Sequence, residues 1–153
     1  DFIDHNEMIE MYPVNHMNDP YVIGQNDRMV SINSCLEIDL YGQVASEAIG
    51  LEQFSGTGGQ VDYLRGAKRS RGGRSILAFT STAKGGTVSR IVPVLPPGAT
   101  VTSGRNEVDY IATEYGAVRL RGLTLRERAL ALVSIAHPDF RPGLMAVVEE
   151  RFS

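Results

Sequence analysis

Near the middle of the chain stands Gly56-Thr57-Gly58-Gly59-Gln60-Val61-Asp62-Tyr63, a glycine-rich stretch that bears on both fold and function. Glycine has no Cβ, so a ligand can approach its peptide N–H group closely. Several N–H groups that point in one direction can hold a phosphate or stabilise an oxyanion. A plain tight turn is the alternative interpretation of Gly56–Gly59.

The stretch fits the nucleotide-binding motifs poorly. A dinucleotide-binding fingerprint has glycines at its first, third and sixth positions, but after Gly56 and Gly58 the sixth position is Val61. A P-loop ends in Gly-Lys-Ser/Thr, and Gln60 stands where the lysine belongs. The later sequence Ala-Lys-Gly-Gly-Thr at 83–87 also lacks the P-loop order.

The composition is that of a folded chain. With 153 residues, 42% of them hydrophobic and 22% charged, the chain is long enough for one domain with one core. A net charge of −3 gives no reason to expect a polyanionic partner, and no apolar run approaches the length of about 18 residues that a membrane span needs. The single cysteine, Cys35, fits a reducing cytoplasm, with buried packing as its expected role.

Hydrophobic periodicity predicts short strands through most of the chain. A Tyr41-Gly42 hairpin turn is expected between the first two strands, and residues 1–20, with Pro13 and Pro20, are expected to form a loop-rich lead-in. The predicted strands are Met29–Ile38, Gln43–Ala45, Ser75–Phe79, Ile91–Val94, Ala99–Thr102, Tyr110–Thr113 and Val118–Leu120.

Helices are predicted near the end. The sequence Thr124-Leu125-Arg126-Glu127 is a capping box that should begin an amphipathic helix, and Pro138 should end it. Pro142 is expected to open another helix. The basic run Arg65–Arg74 is interpreted as a solvated loop. The expected fold class is α/β, with a mixed sheet and flanking helices in a single domain over residues 1–153.

Several segments occur in unbroken order between Asn18 and Arg141: Ser31–Val44, Gly56–Tyr63, Ser81–Gly86, Ser89–Pro93, Thr113–Gly116, Leu120–Gly122, Glu127–Ala129 and Ala136–Arg141. Together they resemble the C-terminal domain of the acetyl-CoA hydrolase/transferase family, and above all its 4-hydroxybutyrate CoA-transferases. The resemblance implies the C-terminal half of a class I CoA-transferase fold. It also implies that acyl-CoA and a short carboxylic acid are the substrates.

The resemblance implies catalytic roles for three residues. Gly59 would offer its backbone N–H to an oxyanion during acyl transfer. Glu114 would lie at the active site, as a general base or as a group that positions water or substrate, and Asn18 would border the acyl site. The alternatives are an exposed acid at a strand end for Glu114 and an ordinary turn residue before Pro20 for Asn18.

Coenzyme A contacts are also implied. Lys84, with Gly58 and Gly56, would contact coenzyme A, although a solvated loop lysine is the alternative for Lys84.

His137 precedes Pro138 and is expected to interact with a helix C-terminus. The remaining histidines, His5 and His16, are not joined by cysteines or carboxylates at metal-binding spacing, so no metal is expected.

The nucleophile implied by the resemblance is missing. In the family, a glutamate of the N-terminal domain attacks the acyl-CoA thioester, giving an acyl-glutamyl anhydride and then a glutamyl-CoA thioester. No counterpart is found here, so the chain is expected to be inactive without an N-terminal half, within a homo-oligomer. An acetyl-CoA hydrolase and a non-catalytic domain that binds CoA or a partner remain alternatives. A nucleic-acid-binding module ranks last because the net charge is negative.

Overall fold

A computed structural model describes residues 2–152. The helices are α1 (Val14–Met17), α2 (Pro20–Gly24), α3 (Gln60–Arg69), α4 (Leu125–Ser134) and α5 (Arg141–Arg151). The strands are β1 (Val30–Asn33), β2 (Glu37–Asp39), β3 (Val44–Ala45), β4 (Ala48–Ile49), β5 (Glu52–Gln53), β6 (Arg74–Ala78), β7 (Thr82–Ala83), β8 (Val88–Ser89), β9 (Ile91–Val92), β10 (Tyr110–Thr113) and β11 (Gly116–Arg119). This mixture confirms the predicted α/β class.

The main sheet has the strand order β1-β6-β10-β11. Strands β1, β6 and β10 are parallel, and β11 returns antiparallel to β10 as a hairpin. Helix α3 is the last element of the connection from β1 to β6, and it packs on both strands. On one face of the sheet, Leu77 and Ile111 are buried side by side in register. Leu64 of α3 belongs to the same buried cluster, so α3 covers that face.

A smaller sheet, ordered β3-β2-β9, joins the first part of the chain to the middle. The predicted turn at Tyr41-Gly42 is confirmed: Gly42 has a φ of 86°, which favours glycine. The buried Asp39 fixes this turn, because its carboxylate accepts hydrogen bonds from the backbone N–H groups of Tyr41 (3.0 Å) and Gln43 (2.8 Å).

The two C-terminal helices close the core. The predicted capping box is confirmed, with Thr124 Oγ1 accepting from the N–H of Glu127 and the Glu127 carboxylate accepting from the N–H of Thr124. Pro142 lies in the first turn of α5, as predicted. Buried side chains of both helices, including Leu132 and Val148, join the cluster around the main sheet.

Three predictions about the secondary structure are wrong. The segment Met29–Ile38 is not one strand, because it bends after Asn33 and enters the second sheet as β2; the Arg90 guanidinium holds the bend by donating to the carbonyls of Cys35 and Leu36. The segment Ala99–Thr102 forms no strand, and only the next residue, Ser103, makes an isolated bridge.

The third error concerns the basic run Arg65–Arg74, which is not a solvated loop. Its first half lies in α3, and only the residues between α3 and β6 form a turn. Asp62 in the first turn of α3 and Lys68 and Arg69 in its last turn match the helix dipole, so the signal for this helix was present. Of the predicted lead-in, the described residues 2–13 are irregular, and the chain then forms α1 and begins α2 at Pro20.

Candidate active site

The site candidates gather at one edge of the main sheet. Since β1, β6 and β10 are parallel, their carboxyl ends meet at the same edge. Helix α3 runs back between β1 and β6, so its N-terminus also lies at that edge. In open α/β sheets this edge is where ligands bind. It carries the glycine turn that precedes α3, the segment that follows β6, and Glu114 directly after β10.

The glycine turn forms the start of α3. Gly58 has a φ of 56°, which few residues other than glycine adopt, and Gly59 is the N-cap of the helix. A Cβ added to Gly56 or Gly58 would meet no atom within 4 Å, so both glycines present open backbone. The first N–H groups of a helix have no partner within the helix and carry its positive dipole end. The turn can therefore face an anion or a developing oxyanion.

Asn18 lies directly against Gly59. A Cβ added to Gly59 would collide with the Asn18 side-chain amide, and no residue with a side chain fits there unless Asn18 moves. Asn18 is the C-cap of α1, and the next residue, Asp19, caps α2 by accepting from the N–H of Tyr21 at 2.8 Å. The two short helices thus fix Asn18 beside the glycine turn. The structure thus brings together two residues to which the family resemblance gives roles, Gly59 at the oxyanion and Asn18 beside the acyl site.

Glu114 is held by Ser81, a fully buried residue that follows β6. Ser81 Oγ donates to one carboxylate oxygen of Glu114 at 2.6 Å, and the Ser81 N–H donates to the other at 2.8 Å. Burial by itself raises the pKa of Glu114, but the hydrogen bonds from Ser81 and the field of His137 outweigh it and lower the pKa below its usual value. Glu114 is therefore an oriented, ionised carboxylate with an exposed side chain.

His137 is not placed as predicted. Helix α4 ends at Ser134, and His137 instead caps the following 3-10 turn Pro138–Phe140, with its Nδ1 accepting from the N–H of Asp139 at 3.3 Å. Its ring packs edge-on against Tyr115, at 5.5 Å between ring centroids. This packing brings the imidazole close to Glu114.

Lys84 lies on an exposed loop that continues from Ser81 through β7. Lys84 has a φ of 49°, followed by Gly85 at 65° and Gly86 at 92°. The hydroxyl of Thr87 donates to the Lys84 carbonyl at 2.9 Å and holds the loop. A lysine in this left-handed conformation is uncommon, and such backbone outliers cluster at functional sites.

Two pairs therefore form, Asn18 with Gly59 and Ser81 with Glu114, and Lys84 lies three residues beyond Ser81. Within residues 2–152 no hydrogen bond joins the two pairs. The segment Ser81–Gly86 carries part of the family resemblance, but the sequence alone predicts no role for Ser81. The available signal was its position: it follows a buried strand, as Glu114 follows another, and neighbouring parallel strands bring such residues together.

The basic side chains of α3 are bound elsewhere. Arg65 lies 3.4 Å from the carboxylate of Glu107, and Lys68 Nζ donates to the Asn106 carbonyl at 3.0 Å. Among the residues that the structure describes, no group of three or more histidine, cysteine, aspartate or glutamate side chains could hold a metal ion. No helix in the described part of the chain is long and apolar enough to cross a membrane.

Comparison with known proteins identifies the family of this chain. A family described as the acetyl-CoA hydrolase/transferase C-terminal domain matches residues 1–148. The chain belongs to this family. It is 59% identical to the 4-hydroxybutyrate coenzyme A transferase of Clostridium kluyveri, over 99% of this chain and 35% of that protein.

Solved structures give the same result. The 4-hydroxybutyrate CoA-transferase of Porphyromonas gingivalis is 60% identical with a TM-score of 0.83, and RipA of Yersinia pestis is 47% identical with a TM-score of 0.92. Each alignment covers 99% of this chain and 34% of the solved chain. Acetyl-CoA hydrolases of Kluyveromyces lactis and Candida albicans are less similar, at 34% and 30% identity. The chain thus spans about a third of the length of these CoA-transferases.

Proposed function

We propose that this chain is the C-terminal domain of a CoA-transferase that moves coenzyme A between a short-chain acyl-CoA and a carboxylate, of the 4-hydroxybutyrate/acetate type. The observation that carries the proposal is the contact between Asn18 and Gly59 at the N-terminus of α3. The Asn18 side-chain amide therefore lies beside the Gly59 backbone, near the carboxyl ends of the parallel strands. Such donors stabilise the oxyanion that forms when a thioester is attacked.

The covalent step requires a part of the protein outside this chain. A glutamate in an N-terminal half would attack the thioester carbonyl, and CoA thiolate would leave, giving an acyl-glutamyl anhydride. The thiolate would then attack the glutamyl carbonyl, forming glutamyl-CoA and releasing the first carboxylate. A second carboxylate would reverse both steps. In each step negative charge develops on a carbonyl oxygen, which the Gly59 N–H would stabilise.

Glu114 is assigned the role of ordering substrate or water rather than that of nucleophile. Its two carboxylate oxygens are both engaged by Ser81, which leaves the remaining lone pairs to accept a proton or a hydrogen bond. Lys84, on the exposed loop, would supply a cation to coenzyme A, and the open backbone of Gly56 and Gly58 would allow close approach.

The cellular setting is proposed on weaker grounds. A cytoplasmic location agrees with a lone cysteine that is buried, and a homo-oligomer agrees with the apolar side chains that this domain exposes. Acyl-CoA, a short carboxylic acid and the N-terminal half of the same polypeptide are the proposed partners.

The test is Gly59→Ala in the complete protein, assayed for acyl-CoA:carboxylate exchange. The added methyl must displace Asn18, and misplacement of about 1 Å at a reacting centre costs roughly 100-fold in rate. Gly143→Ala is the matched control, because a Cβ there meets no atom within 4 Å and the residue lies in α5. Equal rates in the two variants would refute the role of Gly59. Release of free CoA without an acceptor acid would instead identify a hydrolase.

A further inference from the structure

Glu114 lies at the tip of the β10–β11 hairpin. Thr113 pairs with Gly116 across this hairpin, so the turn between the strands consists of Glu114 and Tyr115 alone. The common two-residue hairpin turns need a positive φ at their first residue, and neither Glu114 nor Tyr115 has one. The orientation of Glu114 therefore depends on contacts from outside the hairpin.

Residues 135–140, which connect α4 to α5, supply one of these contacts. The Thr113 hydroxyl donates to the Ile135 carbonyl at 2.6 Å and accepts from the Tyr115 N–H at 3.1 Å. One side chain thus links the end of β10, the backbone of the turn and the first residue after α4.

The Tyr115 ring contacts two side chains from the same part of the fold. The His137 ring packs edge-on against it, with 5.5 Å between the ring centroids and 89° between the ring planes. The Arg141 guanidinium lies 5.5 Å from the Tyr115 centroid, and Arg141 Nε donates to the Ala136 carbonyl at 2.9 Å. Because Tyr115 directly follows Glu114, these contacts restrict the backbone that carries the carboxylate.

The His137 ring is itself held in one orientation. Its Nδ1 accepts from the Asp139 N–H at 3.3 Å, and the Phe140 ring packs against it at 6.0 Å between centroids. Since Nδ1 is an acceptor, the neutral ring carries its proton on Nε2. The Asp139 carboxylate lies 3.7 Å from Nδ1, but it is exposed and solvent screens its charge.

We propose that His137 is a positioning residue for Glu114, because its ring fixes the turn through Tyr115 and its field favours the ionised carboxylate. The inference rests on the proposed function, in which Glu114 orders substrate or water. Burial raises the pKa of Glu114, whereas the hydrogen bonds from Ser81 and the field of His137 lower it. Ser81 thus holds the carboxylate from the end of β6, and His137 acts on it from the connection between α4 and α5.

Two variants of the complete protein separate the ring from the cap. His137→Phe keeps an aromatic ring beside Tyr115 but has no charge and no acceptor, whereas His137→Asn keeps an acceptor for the Asp139 N–H but has no ring. In acyl-CoA:carboxylate exchange, both should lower kcat at least about 10-fold and leave KM for the acid within about twofold.

Three kinetic results would overturn the proposal. Wild-type kcat in His137→Phe would reduce His137 to a packing residue, and wild-type kcat in His137→Asn would reduce it to the cap of the 3-10 turn. A raised KM for the acid with an unchanged kcat would make His137 a substrate contact instead.

The two tyrosines of the hairpin provide a matched pair of variants. Tyr115 lies beside Glu114, whereas Tyr110 begins β10 at the other end of the hairpin, and each ring has an arginine guanidinium 5.5 Å from its centroid. Tyr115→Leu should reproduce the loss of kcat seen in the His137 variants, and Tyr110→Leu should stay within about twofold of the wild type. Equal losses would show that any loosening of the hairpin suffices, and would contradict the proposal.

The pKa of Glu114 gives a measurement that is independent of activity. His137→Phe removes a group that lowers this pKa, so the pKa should rise and the acid limb of kcat should move to higher pH. Titration of ¹³C-labelled glutamate carboxyl groups by NMR measures it, with Glu114→Gln to assign the signal. An unchanged pKa would overturn the proposal. A complete protein without exchange activity would refute the proposed function, while the titration would still show whether His137 acts on Glu114.

Discussion

Replacing Ser81 by alanine removes one of the two hydrogen bonds that hold Glu114. The hydroxyl bond of 2.6 Å is lost, while the bond of 2.8 Å from the Ser81 N–H remains. A hydrogen bond to a charged group contributes about 1.5–3 kcal/mol. Because the Glu114 side chain is exposed, solvent screening reduces this contribution, and we expect Ser81→Ala to lower the free energy of unfolding by about 1 kcal/mol at pH 7.

The loss should depend on pH. The hydrogen bonds keep the pKa of Glu114 below its unfolded value of about 4.3, so their charge-assisted stabilisation is present above that pH and disappears as the pH falls through the folded pKa. Urea unfolding of the wild type and the variant between pH 7 and pH 3 measures this. Ser89→Ala is the control, since its hydroxyl donates to the Ile91 carbonyl and no carboxylate is involved. An equally large loss from Ser81→Ala at both ends of the pH range would contradict the reasoning.

Three further outcomes are expected. Gly66→Ala should lower the free energy of unfolding by roughly 1–3 kcal/mol in urea titrations, because the Cβ of the new alanine would overlap Ile23. An unchanged free energy would show that α2 does not pack so closely on α3. Cys35 should not react with iodoacetamide at pH 8 in the folded protein, because burial raises the pKa of its thiol to about 12. Mass spectrometry after labelling measures the reaction, and rapid labelling would contradict the prediction. Thr124→Ala should cost about 1 kcal/mol in thermal unfolding through loss of the N-cap, and no change would mean that α4 does not depend on its capping box.

The elements that could be predicted are those whose signal is local. The capping box identified α4 because both of its hydrogen bonds join neighbouring residues. The buried strand β6 was recognised from its apolar run. Helix α3 was missed because its glycine and its four charged side chains resemble a loop, whereas its stability comes from Leu64 and from the close packing of Gly66 on α2. That packing is a tertiary effect, which propensity does not record.

The candidate site depends on contacts that no spacing in the sequence reveals. The roles of Asn18, Gly59 and Glu114 came from the family resemblance, and the structure adds the Asn18–Gly59 contact. The partnership of Ser81 and Glu114 required knowing that β6 and β10 are neighbours, although β7, β8 and β9 lie between them in sequence. Strand order is a property of the whole fold. The sequence alone therefore does not show that Ser81 positions Glu114 from the adjacent strand.

The conformation of Lys84 connects the backbone to the proposed chemistry. A residue with a Cβ loses about 1–2 kcal/mol in the left-handed region, where glycine loses nothing, and Gly85 and Gly86 already adopt that region next to it. A loop that only had to turn would be more stable with glycine at position 84 as well. The lysine stabilises no described ion pair that would offset its strain. Under the proposed function, its side chain would instead pair with an external anion, the phosphates of coenzyme A.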